Sequence, residues 1–240
     1  MNERGWAITG SLGDMPLRFN DILVDLDGTL VDSIDGLHTA CLAAADTIGR
    51  PRPDLEFVRR SIGRGSDRLL HLVLRVDAEL MLDPDLHQQA RLAFDRHYAS
   101  ACCGGSHLRE GVADSLVSLR AEGRRLVVAT NKPRQPAELV LRHLGLDDLI
   151  DELCCPEDAG CLKPDPDFVS AAVGSSDRSG VILVGDSGVD GDTADAASIP
   201  FIAVRGGYDE GRDIATRSPS PSAVIETPRT LPAAIHQLEA

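Results

Sequence analysis

Residues Asp21 to Ser33 read "DILVDLDGTLVDS", an apolar run that leads straight into two aspartates one residue apart. Ile22, Leu23 and Val24 precede Asp25, and Leu26 separates it from Asp27. An aliphatic run of this kind reads as a strand covered on both faces, the habit of parallel sheets. Carboxylates at the end of such a strand must be hydrogen-bonded, paired with cations or bound to metal, because isolated buried charge is costly. The same letters also fit an exposed Asp-Gly turn closing a hairpin, so the stretch is decided by its surroundings.

Three more β-branched runs stand out, "RRLVVAT" at 124–130, "VILVGD" at 181–186 and "PFIAVR" at 200–205, with a weaker one, "LIDELCC", at 149–155. Helical patterns lie between them. In "PAELVLRHLG" (136–145) the spacing predicts a face of Leu139, Val140, His143 and Leu144, with Pro136 near the start and Gly145 at the stop. Strands alternating with helices predict an α/β fold with a Rossmann-like parallel sheet. The tail "RSPSPSAVIETPRTLP" (217–232), rich in Ser and Pro, is expected to be loop, followed by a short helix at "LPAAIHQLEA".

The spacing is uneven, because roughly ninety residues separate the first run from the second, several times an ordinary crossover. Apolar residues recur at helical intervals in "GLHTACLAAADTIG", "DRLLHLVLR" and "DLHQQARLAFDRHYAS", until "CCGGSH" breaks the pattern. We expect an α-helical subdomain over 35–107 inserted into a core made of 18–34 and 108–240. Residues 1–17 form an N-terminal extension, expected to be flexible.

Composition narrows the partners. The 240-residue chain is 42% hydrophobic and 26% charged, as ordinary globular proteins are, and carries a net charge of −14. That charge argues against nucleic acid or an anionic membrane surface, although a local cation can still draw a small anion into one pocket. No segment has the length of a membrane span, and the first twenty residues lack the apolar run of a secretory signal, so the expected compartment is the cytoplasm. The six cysteines match no zinc spacing and are expected to be free packing residues. The histidines likewise show no ligand spacing.

In open parallel sheets ligands bind beyond the carboxyl ends of the strands. Here those ends hold Asp25 and Asp27, then Thr130 and Asn131, then Asp186, Ser187 and Asp190, with Lys163 in "GCLKPDPD" just upstream. Thr130 also fits a helix N-cap, and Asp192 and Asp195 fit surface acids better than ligands.

Together these motifs resemble the phosphatase branch of the haloacid dehalogenase superfamily over nearly the whole chain. "DLDGT", "VVATNKP", "CLKPDP" and "GDSGVD" stand in the order of its four motifs. The resemblance implies that Asp25 attacks phosphorus as a carboxylate nucleophile and that Asp27 acts as general acid and then general base. It implies a magnesium ion on Asp25, the Asp27 backbone carbonyl and Asp186, with Asp190 and Ser187 around it, and a phosphoryl group held by Thr130, Asn131 and Lys163. The insert resembles the helical cap of phosphoglycolate phosphatases, and its turn "SIGRGS" implies a substrate-selecting role for Arg64, Gly65 and Ser66. The expected substrate is a small phosphorylated metabolite, phosphoglycolate-like or a sugar phosphate, and the expected assembly a monomer or homodimer. Two other readings stay open: a β-phosphoglucomutase-like mutase, which shares both aspartates, and a binding protein on the same fold.

Overall fold

The computed structural model of the protein describes residues 19–74 and 83–240. The expected extension over 1–17 lies outside the described residues, as does Arg75 at the end of one helical pattern. The chain opens with β1 (Asp21–Val24) and the short β2 (Val31–Asp32). Four helices follow, α1 (Ile34–Thr47), α2 (Leu55–Arg59), α3 (Ser66–Val73) and α4 (Pro84–Ala101). Then β3 (His107–Leu108) pairs antiparallel with β2. The alternation continues through α5 (Val112–Ala121), β4 (Arg125–Ala129), α6 (Arg134–His143) and β5 (Glu152–Cys154). It runs on through α7 (Pro156–Ala159), α8 (Asp167–Val173), β6 (Val181–Gly185) and α9 (Gly188–Ala197). It closes with β7 (Phe201–Val204), β8 (Ala223–Ile225) and α10 (Leu231–Glu239).

Six strands form one parallel sheet in the order β5-β4-β1-β6-β7-β8. Alternate residues of one strand feed opposite cores, as the period of two requires. Ile22, Val24, Leu126, Val128, Ile182 and Val184 join one apolar cluster, while Leu23, Val127, Ala129 and Leu183 join the other with Phe168 and Ala194. Coverage on both faces explains why these runs are continuously apolar.

In α1, the buried Ala40, Cys41, Ala44 and Ala45 leave room for α4 to lie close along it. On α4 the buried residues are Ala90, Ala93, Phe94 and Tyr98.

Three details differ from the sequence reading. The tail expected to be loop contains β8, whose three residues extend the sheet edge between two proline-containing segments, with Ile225 buried and Val224 exposed. So short an edge strand offers almost no periodicity to read. On α6 the buried face is Ala137, Val140 and Leu141, and His143 is exposed. The five-residue α2 has no counterpart among the expected helices.

All six cysteines are free, and burial pushes the Cys41, Cys154 and Cys155 thiols up to about 12, which suits packing rather than chemistry. Among the described residues no helix is long and apolar enough to cross a membrane.

Candidate active site

β1 lies between β4 and β6, where the strand order reverses, and the three strands end level, with Val24 opposite Val128 and Val184. Asp25, Thr130 and Asp186 therefore emerge at one edge. The Asp25 N–H donates to the Val184 carbonyl at 2.9 Å, which continues the ladder and fixes the backbone under the side chain. From the loop before α8, Lys163 Nζ donates to Asp25 Oδ1 at 2.7 Å, Asp190 Oδ1 at 2.6 Å and the Ala129 carbonyl at 2.8 Å. Those three bonds exhaust an ammonium's donors. Asp190 is equally occupied, since its Oδ2 accepts from the Ser187 N–H at 3.1 Å and hydroxyl at 2.6 Å in the capping box of α9.

Asp186 accepts from the Thr29 hydroxyl and from the Tyr208 N–H, both at 2.5 Å. Two glycines make this niche. A Cβ on Gly28 or on Gly207 would stand 2.2 Å from Asp186 Oδ2, so neither position tolerates a side chain.

One oxygen from each of Asp25, Asp186 and Asp190 lies within 4.8 Å of the others, and all three residues are buried. Burial raises Asp25 well above the usual carboxylate range; Lys163 pulls it back, while Asp190 and Asp186 add to the rise. Burial, with the charge of Asp190, pushes Asp186 up to about 7 against the hydrogen bonds from Thr29 and Tyr208. Burial alone would lower the Lys163 amine, but Asp190 and Asp25 outweigh it and hold it above its ordinary value. Lys163 bonds two of these three buried acids, and Asp186 feels only the more distant charge of Arg109, which leaves an excess of negative charge that a divalent cation would neutralise. The donors are all oxygen, with no thiolate or imidazole in the group, which fits a hard ion.

Above this floor lies a cavity of about 290 Å³, bordered by Asp25 and Asp27 below and by Phe94, Tyr98 and Leu69 of the helical segment above. Gly65 and Ser66 of the "SIGRGS" turn line it. Arg64 is turned to Glu210, 3.0 Å away, and is 43% exposed. Asn131 ties two segments together: its amide donates to the Gly63 and Lys163 carbonyls at 3.0 Å and accepts from the Lys163 N–H at 2.8 Å. The buried Thr130 hydroxyl accepts from the Lys132 N–H at 3.2 Å. Asp192 and Asp195 pair with Arg217 on the exposed side of α9.

Asp27 is held from two sides. Ser33 donates to its Oδ1 at 2.6 Å, and Lys132 Nζ reaches Oδ1 at 2.8 Å and Oδ2 at 3.0 Å. Lys132 also donates to the Tyr98 hydroxyl. Burial would lower the Lys132 amine, yet Asp27 and Tyr98 hold it above its ordinary value. Sequence reasoning missed Lys132, Tyr98, Ser33, Thr29 and Gly207. Lys132 stands inside "VVATNKP", two residues after Thr130, and that adjacency was its one signal. Tyr98 looks in sequence like any apolar-face aromatic of a helix.

Residues 22–198 match the family described as haloacid dehalogenase-like hydrolase. A phosphoglycolate phosphatase of Thiobacillus denitrificans is 33% identical over 202 residues, covering 83% of this chain and 88% of that protein. One carried on a plasmid of Cupriavidus necator is 36% identical over 189 residues, 78% of this chain and 81% of that protein. The crystal structure of a predicted phosphoglycolate phosphatase from Haemophilus somnus superposes with a TM-score of 0.82 at 27% identity, covering 90% of this chain and 97% of that one. On the family match and these relatives, the chain belongs to the haloacid dehalogenase-like hydrolases, among the phosphoglycolate phosphatase-like members.

Proposed function

We propose that this phosphatase hydrolyses small phosphomonoesters of the phosphoglycolate or sugar phosphate kind through an aspartyl-phosphate on Asp25, with magnesium as its ion. The observation that carries the reading is the Asp25 carboxylate at the end of β1, its Oδ1 bonded to Lys163, within 4.8 Å of two more buried acids. With Oδ1 engaged, Oδ2 is the atom free to attack phosphorus. As the new P–O bond forms, the ester P–O bond breaks with its electron pair on the leaving oxygen, and Asp27 gives that oxygen its proton. Asp27 then takes a proton from water, whose oxygen displaces Asp25 and releases inorganic phosphate.

Asp25, Asp186 and the Asp27 carbonyl would hold magnesium, with Asp190 beside them. When bound, the ion supplies the charge cancellation that lets a carboxylate meet an anionic phosphoryl group. The Thr130 hydroxyl holds a phosphoryl oxygen as charge redistributes, and Lys163 joins it by releasing one of its three present acceptors. In this reading 18–34 with 108–240 is the catalytic core, and 35–107 is a cap that screens the transfer from bulk water.

The test is phosphate release from a chromogenic aryl phosphate. Turnover is expected to need added magnesium, to fall at least about tenfold in EDTA, and to drop about a thousandfold or more in Asp25→Asn. An Asp25→Asn protein that turns over normally, or full activity in EDTA, would overturn the covalent, metal-assisted reading.

A further inference from the structure

We infer that Lys132 and Tyr98 are positioning residues that aim the Asp27 carboxyl for its proton transfers, which ties the helical segment to the chemistry at the sheet edge. The inference rests on the general acid role proposed for Asp27 above.

Lys132 leaves the end of β4 and Tyr98 the last turns of α4, 34 positions apart in sequence. The two meet directly over Asp27. Lys132 donates to both Asp27 oxygens and to the Tyr98 hydroxyl, so all three of its protons have named partners. Its ammonium also lies 4.8 Å from the centroid of the Tyr98 ring. Tyr98 is fixed in turn by stacking on Phe94, with centroids 5.5 Å apart, and both aromatics are buried. A lysine serving only to neutralise Asp27 would need no partner on the helical segment. Here the segment supplies one, in the wall of the cavity where the leaving group must sit.

The bonds on Asp27 are unequal, and the inequality assigns its two oxygens. Oδ1 accepts from Ser33 at 2.6 Å and from Lys132 at 2.8 Å, while among the described residues Oδ2 has only the 3.0 Å bond from Lys132. Oδ2 is therefore the atom left to carry the transferred proton. As the ester P–O bond breaks, the electron pair stays on the leaving oxygen and the Oδ2 proton goes to it. If Oδ2 is swung out of line, that oxygen must leave as an unprotonated anion. The penalty then depends on the leaving group. An alkoxide suffers fully, whereas a dinitrophenolate, stable without a proton, suffers little.

The experiment compares kcat/KM, which reports steps through the first phosphoryl transfer, for an alkyl phosphate and for 2,4-dinitrophenyl phosphate. Asp27→Asn is the reference and is expected to lose far more on the alkyl ester. Lys132→Met should lose about a hundredfold on the alkyl ester and under about threefold on the dinitrophenyl ester. Tyr98→Phe keeps the ring on Phe94 and deletes only the hydroxyl. It should lose about tenfold on the alkyl ester and remain within about twofold on the other. Equal losses on both esters in Tyr98→Phe and Lys132→Met would make the pair a packing device and overturn the inference. Unchanged rates on both would do the same. If Asp27→Asn itself lost equally on both esters, the general acid role would fail, and the positioning role with it.

Discussion

At the amino ends of β1 and β4, Arg124 pairs with Glu122 and Glu239, and Arg125 pairs with Asp21 and Glu152. At the carboxyl ends, Lys163 pairs with Asp25 and Asp190, Lys132 pairs with Asp27, and Asp186 forms no ion pair among the described residues. Each end sets two lysines or arginines against four acids, with His236 also on Glu122 at the amino end, and the outcomes are opposite. Burial would raise Glu122, but Arg124 and His236 hold it below the usual range, and the Arg124 hydrogen bond holds Glu239 down too. Asp25 and Asp186 are instead raised, chiefly by burial. The difference is water. The acids at the amino end keep side-chain exposures of 16% to 49%, whereas Asp186 and Asp190 are 1% and 0% exposed. Solvent completes the charge balance at one end, and at the other a divalent cation would complete it. One end of the sheet is built to stand alone and the other to bind.

Asp186→Asn tests that contrast most severely. Turnover should fall by about a thousandfold or more, because the substitution removes a carboxylate from the cluster that would hold magnesium. In EDTA the same substitution should stabilise the fold, since it deletes one member of a repelling set. The pH dependence fixes the sign. Asp186 is raised to about 7 when folded, against ~3.9 for an unfolded aspartate, so between those values the folded state binds the extra proton. Its cost to stability is therefore full above about pH 7 and is relieved as the pH falls toward 4, by a few kcal/mol at most. Glu239 and Glu122 act the other way, with their contribution full above the unfolded value of ~4.3 and lost as the pH falls through their lowered folded values. Metal-free protein should thus be most stable near about pH 5, and Asp186→Asn should flatten the slope above it. Denaturant unfolding across pH 4–8 decides this; an unchanged slope in the variant would break the comparison.

Arg124→Met probes the other end. Its guanidinium, with a side chain 0% exposed, binds Glu239 of α10 and the Phe19 carbonyl just before β1, so it clips the last helix to the start of the sheet. Losing it should cost about 2–3 kcal/mol, below the usual range for a broken buried pair because Glu122 and Glu239 still reach water. Turnover should stay within about twofold, since the clip is at the far end of the strands. A large loss of activity in a protein that unfolds at the normal denaturant concentration would show that the two ends are not independent.

The features legible in the sequence were those with a local signature. "DILV", "RLVVA" and "VILVG" read as strands covered on both faces because, after a charged first residue in the first two, consecutive positions are apolar, and the residues that follow them, Asp25, Thr130 and Asp186, fall at one edge once the sheet is parallel. The helices α1, α3 and α4 were legible from period while α2 was not, and "LIDELCC" does hold the weak strand β5. What could not be read was whatever needs two distant segments to meet. Lys132 gains its meaning from Tyr98, and Gly207 from Asp186, only once the loops have closed over β1. The strand β8 failed for another reason: three residues beside Ser and Pro carry too little pattern to outvote their neighbours.

Arg64 carries the smallest expected effect. Its partner Glu210 is 146 positions away in sequence and hence invisible there, yet it now engages the guanidinium at 3.0 Å. Both side chains are well exposed, 43% and 38%, which places the pair in the water-screened class of the amino-end ions rather than with the buried acids. Such a pair contributes about 0–1 kcal/mol, because solvent weakens the attraction and two flexible side chains must be held still. Arg64→Ala should therefore shift stability by less than about 1 kcal/mol and leave turnover of an aryl phosphate within about twofold. Any substrate anion that recruits Arg64 must first displace Glu210, so Glu210→Gln should lower KM for a substrate bearing a second anion and leave the aryl phosphate unchanged. Parallel measurement of both substrates in both variants checks it, and a drop in aryl phosphate turnover in Arg64→Ala would place Arg64 with the buried site instead.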